Sequence, residues 1–188
     1  MNFSKPIDMP RGTHYGNNYY LVYSKKIHRT CRFYSNLEYY NFLSLEINPK
    51  IEKFCEQPVK IEIIQENKIQ HAIIDMWVLY RDGREEFQEV KYTSELTGDR
   101  AEAIRSQEQI RRERLWCTEN NIDLVIRTEK NISQGRFFLN NANTIAARLR
   151  RYTPTEDEFY NPKVMNVLEK YKKISVKDLI NNGLLPIH

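Results

Sequence analysis

Two carboxylates and a lysine stand close together in the middle of this chain. The stretch Ile73-Ile74-Asp75-Met76-Trp77-Val78 holds a lone acid, Arg81-Asp82-Gly83 reads as a turn, and Phe87-Gln88-Glu89-Val90-Lys91 holds an acid and a lysine two apart. Side chains alternate along a strand, so Glu89 and Lys91 share a face and Val90 takes the other. A three-residue hairpin loop with Gly83 left-handed sets Tyr80 across from Arg84 and Asp75 across from Glu89. A two-residue Asp82-Gly83 loop would set Asp75 against Val90 and turn it to the wrong face. Asp-Gly is a favoured type I′ pair, so turn propensity leaves the register open. The surroundings favour the first register. Asp75 is the only charge from Ala72 to Tyr80, and such a charge is costly without a partner or an ion. In that register two carboxylates and an ammonium converge, the donor set of a magnesium-dependent phosphodiester hydrolase. The competing reading of the trio is a structural ion cluster. Glu66-Asn67-Lys68 repeats the acid-x-lysine spacing, but its polar turn reads as a solvated loop.

The elements that must carry these residues follow from periodicity and punctuation. Residues 1 to about 18 read as an arm, and Asn18 to Lys25 as a short strand. Ser35-Asn36-Leu37-Glu38 opens a helix to about Asn48, with Tyr40, Leu43 and Ile47 on one face and Pro49 helping to end it. Val59 to Gln65 and Gln70 to Tyr80 are expected to form a hairpin, and Glu85 to Tyr92 returns beside the second of these. Asp99-Arg100-Ala101-Glu102 reads as the capping box of a long helix to about Asn120, with sparse apolar positions at Ala103, Ile104, Ile110, Leu115 and Trp116. Ile122 to Thr128 reads as a central strand, and Asn141 to Tyr152 as a basic helix. The fold class expected is α/β, a mixed four- to five-stranded sheet flanked by helices, its fourth strand reached through a helical crossover. Residues 1–152 form the core in this reading. Residues 153–188 form a small C-terminal helical extension: a helix started by Pro162, then a short one capped by Ser175 and stopping at Gly183.

The 188 residues suffice for one substantial domain, and 40% hydrophobic with 29% charged is a globular composition. There is no apolar run near 18 residues and no charged-then-apolar leader, which argues against a membrane span or a secretory signal. Cys31, Cys55 and Cys117 suit free thiols in a reducing cytoplasm. The net charge is only +4, yet basic residues clump at Lys25 to Arg32, Arg111 to Arg114 and Arg148 to Arg151. Beside a candidate metal site, such clumps point to a nucleic-acid backbone. No spacing links His14, His28 and His71 as metal ligands, no G-x-S-x-G elbow supports serine hydrolysis, and no P-loop supports ATP hydrolysis.

The order of Ser35-Asn36-Leu37-Glu38, Phe54-Cys55-Glu56-Gln57-Pro58, Asp75 and Glu89-Val90-Lys91, with Trp116 to Lys130 beyond, resembles the PD-(D/E)XK nucleases. More narrowly it resembles the TnsA-type endonuclease subunit of heteromeric transposases, over roughly residues 30 to 150. The resemblance implies a restriction-endonuclease-like fold with Glu38, Asp75, Glu89 and Lys91 as catalytic residues. It implies Mg²⁺, with Mn²⁺ able to substitute, held by Asp75, Glu89 and the Val90 carbonyl. Its partners would be double-stranded DNA, an integrase-like transposase subunit and an AAA+ ATPase regulator, in the cytoplasm; a homodimer is compatible with it. The departure is the C-terminus, where about 35 residues stand in place of the larger winged-helix-like domain usual in that family.

In the chemistry expected, the ion polarises a phosphodiester and lowers the pKa of water. Lys91 positions or deprotonates the attacking water and stabilises charge on the phosphate. Glu38 holds a second ion or a water; its competing reading is a purely helical job in a Ser-x-x-Glu capping box. Gln107 and Gln109 are candidates to touch the phosphate or Lys91, or are solvated helix residues, and Gln57 packs beside the site. The alternatives are a stand-alone nuclease of phage defence or DNA repair, and a catalytically silent DNA-binding assembly subunit.

Overall fold

The turn at Gly83 sets the centre of the fold. In the computed structural model, which describes residues 3–9, 18–65, 68–133, 135–151, 157–171 and 175–181, Gly83 has φ +86. Its N–H donates to the Tyr80 carbonyl at 3.0 Å, and Tyr80 N–H donates to the Arg84 carbonyl at 2.8 Å. Asp82 Oδ1 accepts from Arg84 N–H at 3.1 Å, and the Arg84 guanidinium lies 3.8 Å over the Tyr80 ring. The loop therefore holds three residues. Strands β6 (Met76–Tyr80) and β7 (Glu85–Val90) pair antiparallel, with Met76 opposite Gln88 and Trp77 opposite Phe87. One step further along that register, Asp75 stands across from Glu89.

The main sheet has the order β3-β6-β7-β8, where β3 is Ile51–Glu56 and β8 is Asp123–Arg127. Strands β3, β6 and β7 are antiparallel neighbours, and β8 runs parallel to β7. That reversal follows from the crossover through helix α2 (Ala101–Glu119). Alternation divides the core between two faces. Phe54, Met76 and Val78 pack with Phe33, Phe42 and Leu43 and with Ala142 and Ala146. Those residues belong to hairpin β1–β2 (Tyr20–Ser24 and Arg29–Phe33), helix α1 (Asn36–Glu46) and helix α4 (Phe138–Arg151). On the other face Cys55, Trp77 and Phe87 pack with Phe3, Ile61, Ile74 and Cys117, the last from α2. A mixed four-stranded sheet flanked by helices is the restriction-endonuclease-like arrangement expected.

Several boundaries differ from expectation. The single strand expected over Gln70 to Tyr80 is two. Strand β5 (Lys68–Ile73) pairs with β4 (Lys60–Gln65) in a separate two-stranded sheet, and β6 pairs with β3, a strand that periodicity does not reveal. The break at Ile74-Asp75 is where the chain changes partners: Ile74 N–H donates to Val59, and the Asp75 carbonyl accepts from Gln57 N–H. Strand β2 is likewise not among the elements expected. The N-cap of α2 is Arg100, not Asp99, and makes no side-chain cap bond. The short helix α3 (Glu129–Ile132) precedes α4, which begins at Phe138 rather than Asn141. Most of the N-terminal arm and the centre of the Glu66-Asn67-Lys68 turn lie outside the described residues.

The chain divides into two compact units between Arg150 and Arg151. In the second, helix α5 (Asp157–Tyr171) contains Pro162 in its interior; Pro162 does not start it. Helix α6 (Val176–Asn181) is capped as expected, Ser175 Oγ accepting from Asp178 N–H at 3.1 Å. The expected stop at Gly183 lies outside the described residues. Among the described residues no helix is long and apolar enough to cross a membrane.

Candidate active site

Asp75 occupies the irregular step between β5 and β6, and its side chain pins the register it depends on: Oδ2 accepts from Val90 N–H at 2.8 Å. Across from it, Glu89 is fully buried. Glu89 Oε1 accepts from Lys91 Nζ at 2.8 Å and from Gln109 Nε2 at 2.9 Å. Its other oxygen, Oε2, is buried with no hydrogen-bond partner. Lys91 continues the β7 line beyond its last paired residue, its N–H donating to the Arg127 carbonyl at 3.0 Å. Val90 points the opposite way, packed with Leu37 and Ile132. The expected convergence of Asp75, Glu89 and Lys91 is therefore present in the structure.

Glu38 joins them from the first turn of α1. Ser35 Oγ accepts from Glu38 N–H at 3.1 Å, as an N-cap should. The Glu38 carboxylate accepts from Tyr34 N–H at 3.2 Å and from Gln57 Nε2 at 3.3 Å. Gln57 is buried and left-handed (φ 38) at the end of β3. Its amide thus holds Glu38 from the strand side, which puts Gln57 beside the site as expected. Of the two glutamines on α2, Gln109 reaches Glu89, while Gln107 turns away to the Leu96 and Gly98 carbonyls. A cleft of about 890 Å³ opens over the group, lined among others by Glu38, Gln57, Asp75, Lys91, Gln109 and Arg112.

One acid escapes the sequence reading. Glu113 is fully buried on α2; its Oε1 accepts from Gln109 Nε2 at 2.8 Å and its Oε2 has no hydrogen-bond partner. The buried stripe of α2 runs Ala103, Ser106, Ile110, Glu113 and Cys117, whereas Ile104 and Leu115 are exposed. The spacing is present in the sequence, but two of the five positions are polar, so a search for apolar residues picks the wrong flank.

The electrostatics are those of an excess of acids around Lys91, with Arg112 also acting on Glu113. Burial lifts the Asp75 carboxyl above its ordinary range, against the pull of Lys91 and the Val90 N–H. Burial, then the neighbouring Asp75 and Glu113 charges, push Glu89 well up. Burial and Asp75 raise Glu38 to about 7, and burial foremost raises Glu113 to about 7. Burial opposes the charged form of Lys91, but Glu89 and Asp75 outweigh it and hold the ammonium. Among the described residues no three His, Cys, Asp or Glu side chains are grouped to hold a metal. An ion at this site would thus take two carboxylates, with backbone or solvent oxygens making up its shell.

A mixed sheet flanked by helices, with two acids and a lysine together beside a cleft, is a restriction-endonuclease-like arrangement. Residues 48–129 match the family described as TnsA-like endonuclease N terminal. That segment is similar to a TnsA-like endonuclease domain, and the match supports a nuclease. The match includes Asp75, Glu89, Lys91, Gln109 and Glu113 and leaves Glu38 outside. No curated protein matches significantly.

Proposed function

We propose that the chain is a metal-dependent DNA endonuclease that cleaves transposon ends as the TnsA-like subunit of a heteromeric transposase, with Glu38, Asp75, Glu89 and Lys91 as its catalytic residues. The observation that carries this reading is Glu89: a fully buried carboxylate with one oxygen bonded to Lys91 and Gln109 and the other orphaned. Buried polar atoms without partners are rare, and a place for a bound ion is one of the standard reasons for them. Glu38, Asp75, Glu89 and Glu113, set against Lys91 and Arg112, give a hard, oxygen-rich environment of the kind Mg²⁺ or Mn²⁺ takes. Asp75, Glu89 and the Val90 carbonyl would hold the ion. When bound, the ion supplies Lewis-acid polarisation of a phosphoryl oxygen and a more acidic water.

The chain's own residues do the rest. Asp75 and Glu89 are fixed by Val90 N–H and by Lys91 with Gln109, so their donor oxygens need little reorganisation on binding. Lys91, held as an ammonium, donates a hydrogen bond to the water or phosphate and offsets negative charge as it grows there. Glu38, with its carboxyl at about 7, can take the proton the attacking water gives up near neutral pH. Partner proteins, an integrase-like transposase and an AAA+ ATPase, belong to this proposal, as does duplex DNA.

The test is cleavage of duplex DNA carrying transposon ends with Mg²⁺ or Mn²⁺, with and without the partner transposase. Asp75→Ala and Lys91→Ala should abolish cleavage while DNA binding is retained, with the folded state of each variant confirmed by circular dichroism. Cleavage by Asp75→Ala at the wild-type rate would overturn the assignment.

A further inference from the structure

Glu113 lies one residue removed from the group just described, and its environment is costly in a way packing does not explain. It is fully buried and one of its oxygens has no partner, a costly state for a carboxylate. What Glu113 does touch is specific. The two hydrogens of the Gln109 amide are shared between two acids, Glu89 Oε1 at 2.9 Å and Glu113 Oε1 at 2.8 Å. A primary amide has a donor end and an acceptor end of nearly equal shape. With Glu113 in place the donor end must face the acids. Without an acceptor there, the amide is free to rotate and offer its carbonyl to the Lys91 ammonium, in competition with Glu89.

We infer that Glu113 is a positioning residue. It acts through Gln109 to fix the orientation and the hydrogen bonding of Glu89, and so sets the affinity of the site for a divalent cation. This rests on the metal-dependent reading above. Groups that orient a metal-binding side chain typically change metal affinity or activity about 10- to 100-fold when removed. The residue is kept at the expense of stability, because a buried carboxylate lacking partners is worse for the fold than a hydrocarbon of similar volume.

The experiment measures Mn²⁺ binding to the full chain by water-proton relaxation, together with Tm in EDTA at pH 8. Glu113→Leu should weaken Mn²⁺ binding by about 10- to 100-fold while Tm stays level or rises. Glu113→Gln, which keeps an acceptor oxygen, should bind within about threefold of wild type. Gln109→Met, which removes the bridge and leaves Glu113 in place, should show the loss seen in Glu113→Leu and covers the case in which that variant fails to fold. Wild-type Mn²⁺ affinity in Glu113→Leu or Gln109→Met overturns the inference, as does a Glu113→Gln variant as weak as Glu113→Leu. A wild-type chain that binds no Mn²⁺ overturns the metal-dependent reading itself, and the inference falls with it.

Discussion

The acids around Lys91 make a prediction about stability that needs no substrate. A carboxyl whose folded pKa lies above its unfolded value binds more protons in the folded state across the interval between the two. Its stabilising contribution is complete below the unfolded value and is lost as pH rises through the folded one. For Glu113 the interval runs from 4.5 to about 7. At ~1.4 kcal/mol for each pH unit of that interval, ionising it in place removes about 3 kcal/mol of stability. Glu38 has the same interval and the same sign, with a smaller weight because part of it is open to the cleft. Asp75 and Glu89 are raised as well and push in the same direction. The opposite sign comes from Lys26, whose pKa is lowered to about 8, chiefly by burial, so its effect begins only above that pH. Metal-free protein should therefore lose stability steadily from pH 5 to pH 7.5. In a chain of this size about 3 kcal/mol corresponds to a fall of roughly 6–12 °C in Tm. Thermal unfolding followed by circular dichroism in EDTA, across that range, measures it. Glu113→Gln should flatten the curve, since one of its main contributors no longer titrates. A wild-type Tm that is level or rises from pH 5 to pH 7.5 would refute the charge assignment of the site.

Two further outcomes follow from the hairpin and from the opposite face of the sheet. A Cβ added at Gly83 meets no atom within 4 Å, so Gly83→Ala tests the backbone alone: with φ +86 it should destabilise by about 1–2 kcal/mol, read by urea unfolding, while Gly83→Asn should be tolerated. Gln88 Oε1 accepts from Asn41 Nδ2 at 2.8 Å and its amide donates to Glu86 Oε1 at 2.7 Å, both in the interior. Gln88→Leu should then destabilise by about 1–3 kcal/mol by stranding the Asn41 amide, and a double variant that also carries Asn41→Leu should recover part of that loss.

Much of the site is legible in the order of residues alone. Period-two alternation places Glu89 and Lys91 on one face, and the isolation of Asp75 in an apolar run marks it as a candidate site residue. The register is a choice between two loops, and the reason for the outcome is local. Asp82 bonds Arg84 N–H, and Tyr80 and Arg84 stack across the neck. Neither contact belongs to turn propensity, which leaves the two loops level. What periodicity does not show is a change of partner. From Ala72 to Tyr80 the chain reads as one strand, yet it pairs first with β4 and then with β3, and Asp75 sits at the switch. An alternating pattern reports which side chains are buried, and it carries no information about which strand lies alongside. Strand β3 is hidden for a related reason, since Ile51–Glu56 is irregular beside β6 and buries Glu56, which is bonded to Arg29 at 2.6 Å.

Glu113 is illegible for a different reason, and the reason bears on how such sites are built. A helix that packs on a sheet shows itself by its apolar stripe. When the stripe passes over a charged site, some of its positions turn polar and the pattern fades where function is concentrated. On α2 the faded positions are Ser106 and Glu113, with Gln109 on the adjoining edge. The position least like a core residue is thus the one at which the core is bent toward the site. If Glu113 were only a tolerated irregularity, replacing it with leucine would restore the stripe at no loss. The geometry of Gln109 says that the restored stripe should make a better helix and a poorer cation site, and measuring Tm and Mn²⁺ affinity on the same variant separates the two.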